Sequence, residues 1–213
     1  MQNLKWKIAQ WFELRWWQNY LGNKNPAQYR QWKTAWWQQN VLAHVKVKPA
    51  DVIADLGCGP AGIFIALPQN QVTAVDPLLN SYIEEGFLTP SAFANVQFVN
   101  ARLEDFSTAQ KFDVVFCLNC INHVTDIEKA LDVLVAAVKH GGMVALSIDA
   151  HNHSFFKYMF RLIPGDILHP HQYNLSEYRN FLEKRNLRIK SQYTLKQEFF
   201  FDHILLVAEK ASD

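Results

Sequence analysis

The sequence predicts an α/β domain on a mostly parallel sheet. Three observations predict it: five short apolar runs alternating with helical spacings from residue 50 onward, a glycine-rich turn directly after the first run, and two closely spaced runs near the end. The first five strands fall at residues 52–56, 71–76, 96–100, 112–118 and 143–149, each short and apolar enough for the interior of a sheet covered on both faces. Parallel neighbours need crossovers. The sequence places helices at 61–66, 78–87 and 126–139 and a short helical turn at 103–108, with His140-Gly141-Gly142 as the stop signal after the last. A helix at 173–185 precedes two further strands at 187–195 and 198–209, for which a hairpin is the simplest connection.

The first 42 residues differ from this pattern. They hold all seven tryptophans (6, 11, 16, 17, 32, 36 and 37), and six basic residues against the single acid Glu13. Leu4, Ile8, Trp11 and Phe12 recur at helical spacing, as do Tyr29, Trp32, Trp36 and either Trp37 or Val41, with Gly22 to Pro26 between them. The sequence thus divides into a basic, aromatic-rich helical arm at 1–44 and a main domain at 45–213. The arm has two readings. Its aromatics pack on the main domain and close one edge of it, or they form a lid over an apolar substrate, with Trp11 facing that substrate. A basic amphipathic helix also suits a weak peripheral membrane contact.

Composition narrows the partners. Of 213 residues, 49% are hydrophobic, enough for a sizeable core, and 21 basic residues against 20 acidic ones leave no global field to draw in a nucleic acid. The three cysteines, Cys58, Cys117 and Cys120, sit in apolar contexts and suit a reducing, cytoplasmic compartment better than a disulfide framework. The first ten residues lack the apolar run of a signal sequence, and no later window has the ~20 apolar residues of a membrane span.

The sharpest local signal is Asp55-Leu56-Gly57-Cys58-Gly59-Pro60-Ala61-Gly62, where a strand end and an acid run into three glycines before a helix. Gly57 and Gly59 permit a tight turn and close approach of a ligand to the backbone. The spacing is nominally that of the dinucleotide fingerprint. Two details oppose a nicotinamide cofactor. Asp55 would sit poorly beside a pyrophosphate but well beside a cationic amine, and Pro60 removes an N–H from the anion-binding helix start. About twenty residues on, Val75-Asp76-Pro77 ends the second strand with a carboxylate suited to the vicinal hydroxyls of a ribose. Taken alone, Asp76 also reads as a helix cap, with Pro77 at the first helical position.

These segments resemble the class I S-adenosylmethionine-dependent methyltransferases, over roughly residues 40–209. Asp55 to Gly62 is similar to the family's first motif and Val75-Asp76-Pro77 to its ribose-binding acid. Phe112 to Phe116 resembles its fourth strand, Asn119 to Val124 the site-lining segment after it, and His140-Gly141-Gly142 the turn into the fifth strand. The resemblance implies a Rossmann-like seven-stranded sheet, ordered 3-2-1-4-5-7-6 with the last strand antiparallel and helices on both faces. It implies S-adenosylmethionine as cofactor, with Asp55, Gly57, Cys58 and Gly59 near the methionine portion, Asp76 and Pro77 at the ribose and Leu78 beside the adenine. In the adenine-edge segment the pattern departs, with Arg102 where family members often carry an acid. There the Leu103 amide is expected on the ring, Glu104 or Asp105 on its amine, and Arg102 in solvent.

Methyl transfer from a sulfonium needs alignment more than acid, and a base only where the acceptor must lose a proton. His123, after the fourth strand, is the candidate base, unless Asn122 and His123 merely shape the turn into the next helix. Asn119 suits hydrogen bonding to cofactor or substrate. Cys120 suggests a covalent mechanism but reads more simply as a small core residue. A second polar cluster, Asp149, His151, His153, His169, His171 and Tyr173, surrounds an aromatic stretch at 155–163 that reads as a covering insert of about 150–175 over a small-molecule substrate. The histidine pairs lack the cysteines of a zinc site, so no metal is assigned. A protein or nucleic-acid methyltransferase and a non-enzymatic binding protein are the alternatives, and the oligomeric state is left at monomer or homodimer.

Overall fold

The computed structural model describes residues 2–151 and 173–212. β1 (Val52–Leu56), β2 (Gln71–Val75), β3 (Val96–Val99), β4 (Phe112–Leu118), β5 (Val138–His151), β6 (Leu187–Gln197) and β7 (Phe201–Lys210) form one sheet, ordered β3-β2-β1-β4-β5-β7-β6. The first five strands run parallel, and β7 pairs antiparallel with both β5 and β6. This is the expected order, hairpin included.

Alternation along the strands divides the core between the two faces. Ala54, Leu56, Val115 and Cys117 join Leu131 and Leu134 of α4 (Ile127–Ala137) and Tyr178 and Leu182 of α5 (Leu175–Glu183). On the opposite face, Ile53, Val114 and Phe116 join Phe64 and Tyr82. Fully burying each such apolar side chain contributes roughly 1.5–3 kcal/mol. Both predicted helices on the first face form, with local caps. Asp126 accepts from the Lys129 N–H, and Asn174 and Glu177 make a reciprocal capping box.

The first crossover differs from expectation. In place of a helix at 61–66 there are two 3₁₀ turns, Gly59–Ala61 and Ile63–Ala66, separated by extended Gly62. The cause is local: Asp55 Oδ2 accepts the Phe64 N–H at 3.1 Å, and a Cβ on Gly62 would fall 2.3 Å from that same oxygen. The second helix is also shorter, α3 (Leu79–Glu84), with Gly86 at φ +73° soon after it, and the helical turn near 103 is 3₁₀, Leu103–Asp105. β5 begins earlier than expected because Val138 pairs with Phe112 before the register shifts and resumes at Val114 with Met143.

The arm consists of α1 (Gln2–Leu21) and α2 (Pro26–Trp37), the latter continuing through a π turn at Gln38–Leu42. Asn25 caps α2 by accepting the Ala27 and Gln28 N–H groups. The boundary near 45 marks a change of composition but no break in packing. Trp37, Val41 and Val45 are buried with Ile53 and Phe64, and the Trp37 indole donates to the Ala61 carbonyl at 3.0 Å, which clamps α2 onto the first crossover. No helix among the described residues is long and apolar enough to cross a membrane.

Candidate active site

After β1 the chain turns back through Gly57 at φ +74° and Gly59 at φ +57°. The amides of Gly57 and Cys58 both donate to the Val75 carbonyl, at 2.7 and 3.1 Å, and tie the loop to the end of β2. A Cβ on Gly57 would lie 2.2 Å from Cys120 Sγ, so the close approach of the segment after β4 requires glycine here. Asp76 Oδ2 accepts the Gly59 N–H at 2.9 Å, and Oδ1 accepts the Leu78 N–H at 2.8 Å. Asp76 therefore holds the glycine loop and leads the chain into α3 at once, with carboxylate lone pairs left over.

Asp55 and Asp76 are both buried. Burial pushes Asp55 up to about 7 and Asp76 up to about 6, against the pull of the backbone amides that donate to them. The crevice has a third acid. Half-buried Glu13, on the underside of α1, is raised to about 8, first by burial and then by the charge of Asp76. Gln10 Nε2 donates to Glu13 at 3.3 Å. One turn on, the edge of the Trp17 ring lies 3.6 Å from where a Gly59 Cβ would be, and its ring packs edge-on to Tyr82 at 6.2 Å. Among the described residues, Gln10 Oε1 is buried here without a hydrogen-bond partner, and the Tyr82 hydroxyl has none within bonding geometry besides its neighbour Trp17. Surplus acid charge and an orphaned polar atom fit a ligand that is cationic and rich in hydrogen-bonding groups.

Cys58, Leu78 and Leu103 are buried and Pro77 is half-buried in the segments that follow the ends of β1, β2 and β3. At the adenine edge both acids already have partners. Buried Glu104 accepts from Arg102 at 3.0 Å and from the Thr125 amide at 2.7 Å, so its carboxylate serves the β4–α4 loop. Exposed Asp105 pairs with Lys129 at 2.9 Å on the surface. Arg102 is half-buried, not in solvent, and its guanidinium stacks over Trp6 of α1 at 4.7 Å. Trp11 is also corrected: it is 52% exposed on the outer face of α1, away from the crevice, beside Phe12 and under Arg15. The arm's inward residues, Gln10, Glu13 and Trp17, were missed with Tyr82. Their spacing of three and four along one helix, around the arm's one acid, was the available signal.

At the other end, Asn119 follows β4 in a left-handed conformation at φ 54°, with its amide donating to Ser147 Oγ at 2.7 Å. Half-buried Cys120 lies over Gly57. Asn122 is buried and structural, its amide nitrogen donating to the Tyr178 hydroxyl at 2.8 Å and to the Asp149 carbonyl at 3.3 Å. His123 follows it, half-buried, with its backbone amide on the Cys120 carbonyl. His151 closes β5, and its amide donates to the carbonyl of Tyr173, which packs edge-on against Tyr178. His153, His169 and His171, with the aromatic stretch of the covering insert, lie outside the described residues.

A family model described as a methyltransferase domain matches residues 53–142, from β1 into β5. That segment is less than half of the chain and holds the glycine loop, Asp55 and Asp76. A ubiquinone biosynthesis O-methyltransferase of Rickettsia prowazekii (strain Madrid E) is 27% identical over 150 residues, 65% of this chain and 59% of that protein. The chain thus spans less than two thirds of the length of the curated relatives it matches first. Among solved structures, a 1,6-didemethyltoxoflavin-N1-methyltransferase of Burkholderia thailandensis, with S-adenosylhomocysteine bound, has a TM-score of 0.67 at 14% identity, covering 96% of this chain and 88% of that one. A magnesium protoporphyrin IX methyltransferase of Synechocystis PCC 6803 has a TM-score of 0.59 at 20% identity, covering 86% and 83%. At such identities the likeness is one of fold.

Proposed function

We propose that the chain transfers a methyl group from S-adenosylmethionine to an oxygen, nitrogen or carbon atom of a small apolar or amphipathic acceptor. The observation that carries this is the pairing of buried Asp55 and Asp76 around a left-handed glycine turn at two adjacent strand ends, with no lysine, arginine or histidine among their hydrogen-bond partners in the described residues. Asp76 keeps lone pairs for two ribose hydroxyls. Asp55 braces the loop through Phe64 and adds negative potential under a methionine ammonium, while Leu78 and Leu103 offer apolar surface to an adenine. The cofactor supplies a methyl group on a sulfonium leaving group. His123 takes the acceptor's proton where the acceptor is a hydroxyl, from its place after the carboxyl end of β4. The named relative in ubiquinone biosynthesis supports a small, apolar acceptor. On the outer face of α1, Leu4, Trp11, Phe12 and Trp16 are exposed beside Lys7 and Arg15, which supports a weak peripheral contact with a membrane that holds such an acceptor.

Isothermal titration tests the assignment. The protein should bind S-adenosylhomocysteine and not NAD, and Asp76→Ala should weaken that binding by about 100-fold, the worth of two hydrogen bonds to a carboxylate. His123→Ala should leave binding intact and lower turnover by about 10²–10⁴-fold. Absence of heat with both the donor and its demethylated product overturns the reading.

A further inference from the structure

We propose that α1 completes the donor site, with Glu13 as its third carboxylate, and that Glu13 makes the site prefer the cationic sulfonium donor over its neutral thioether product. The inference rests on the methyltransferase reading and extends it to a residue outside the segment that the family model matches, residues 53–142. Glu13 is the single acid among the six basic residues of the arm, yet it does not face any of them at the surface. It turns inward from α1 toward Asp76, with Tyr82 and Cys120 also within electrostatic reach.

Two neighbours fix it there. Gln10 donates to it from one turn earlier, and Trp17, one turn later, lies against the second glycine of the loop. Among the described residues, Gln10 Oε1 is buried without a partner, on the same side chain that donates to Glu13, and is available to a bound molecule. The charge of Asp76 raises the cost of ionising a carboxylate placed beside it. A ligand cation removes that cost. The donor carries one more positive charge than its demethylated product, so a third acid favours the donor and eases departure of the product once the charge has left with the methyl group. Together with the Trp6–Arg102 stack at the adenine edge, the inner face of α1 forms the roof of the crevice.

The test compares the two ligands on one protein by isothermal titration, in wild type, Glu13→Gln and Glu13→Asp. Wild type should bind S-adenosylmethionine more tightly than S-adenosylhomocysteine, and Glu13→Gln should reduce that preference by about 10-fold, the scale expected for one partly screened charge pair. Glu13→Asp, which keeps the charge, should retain most of it. Both ligands are measured on the same preparation, so the ratio does not depend on how much of a variant is folded. An unchanged ratio in Glu13→Gln, with both ligands still bound, overturns this inference alone. Failure of the wild-type protein to bind either ligand overturns the methyltransferase reading and this inference together.

Discussion

At the edge of the crevice where β1 and β2 end, the contacts that shape the site join near neighbours in sequence. Asp55 and Phe64 are 9 residues apart, Gly59 and Asp76 are 17 apart, and each of these bonds ends on a backbone amide. At the edge where β4 and β5 end, the corresponding contacts span 28 residues between Asn119 and Ser147, 27 between Asn122 and Asp149, and 56 between Asn122 and Tyr178. The first edge is a local backbone structure held by two acids. The second is a side-chain bracket that joins the turn after β4 to β5 and α5. A cofactor site made of backbone tolerates few substitutions because conformation itself is the ligand-binding feature. A bracket of side chains leaves its neighbours freer to vary in step with an acceptor.

Breaking the first edge should give the largest effect. Gly57→Ala places a Cβ 2.2 Å from Cys120 Sγ and asks alanine to hold φ +74°, so we expect a loss of about 3–5 kcal/mol of stability. Chemical denaturation would measure it, and product binding should be lost with it. Breaking the second edge should cost less and act differently. Asn122→Ala removes the donor to Tyr178 and Asp149 and leaves a buried hydroxyl short of a partner, for about 2–3 kcal/mol. Product binding should survive in this variant while turnover falls, because the chain bearing His123 loses its tether. Equal loss of binding in both variants would dissolve the distinction between the edges.

The same distinction explains what the sequence revealed. The strand order and the glycine loop with Asp55 and Asp76 were legible because period-two apolar runs and glycine-acid spacings are local features, and the first edge is made of local contacts. The pairing of Asn122 with Tyr178 was not legible, since nothing in either segment names a partner 56 residues away. The first crossover was misread as a helix because its apolar content suits one, whereas the Asp55 carboxylate takes the Phe64 amide out of helical bonding. Glu104 has a partner that its own segment does not announce: its Oε1 reaches the Thr125 amide 21 residues on, beside Arg102. On α1 the apolar and aromatic residues surround the whole helix, so periodicity gave no reliable inner face and assigned Trp11 to it. The polar residues Gln10 and Glu13 marked that face instead.

Titration separates the two edges by pH. Asp55 and Asp76 rise from an ordinary 3.8 to about 7 and about 6 in the folded protein, so between about pH 4 and pH 7 the folded state holds protons that the unfolded chain has released. Their contribution to stability is therefore present below pH 4 and is lost as the pH rises through 6 and 7, with Glu13, raised to about 8, extending the loss upward. Each proton so held costs about 1.4 kcal/mol per pH unit, or roughly 2–4 °C in Tm for each kcal/mol. Cys58, Cys120 and Tyr82, which face the same acids, are all pushed upward and stay neutral through this window. His203, raised by its contact with Asp149 at the far edge, loses its own contribution in the same direction above about pH 6.5. The two sources separate with ligand. A cationic donor replaces the protons of the first edge only, so S-adenosylmethionine should flatten the fall in Tm between pH 5 and pH 6.5 and leave the part above pH 6.5 that is due to His203, which His203→Gln should remove. A fall that the donor does not alter would place the titrating groups away from the crevice.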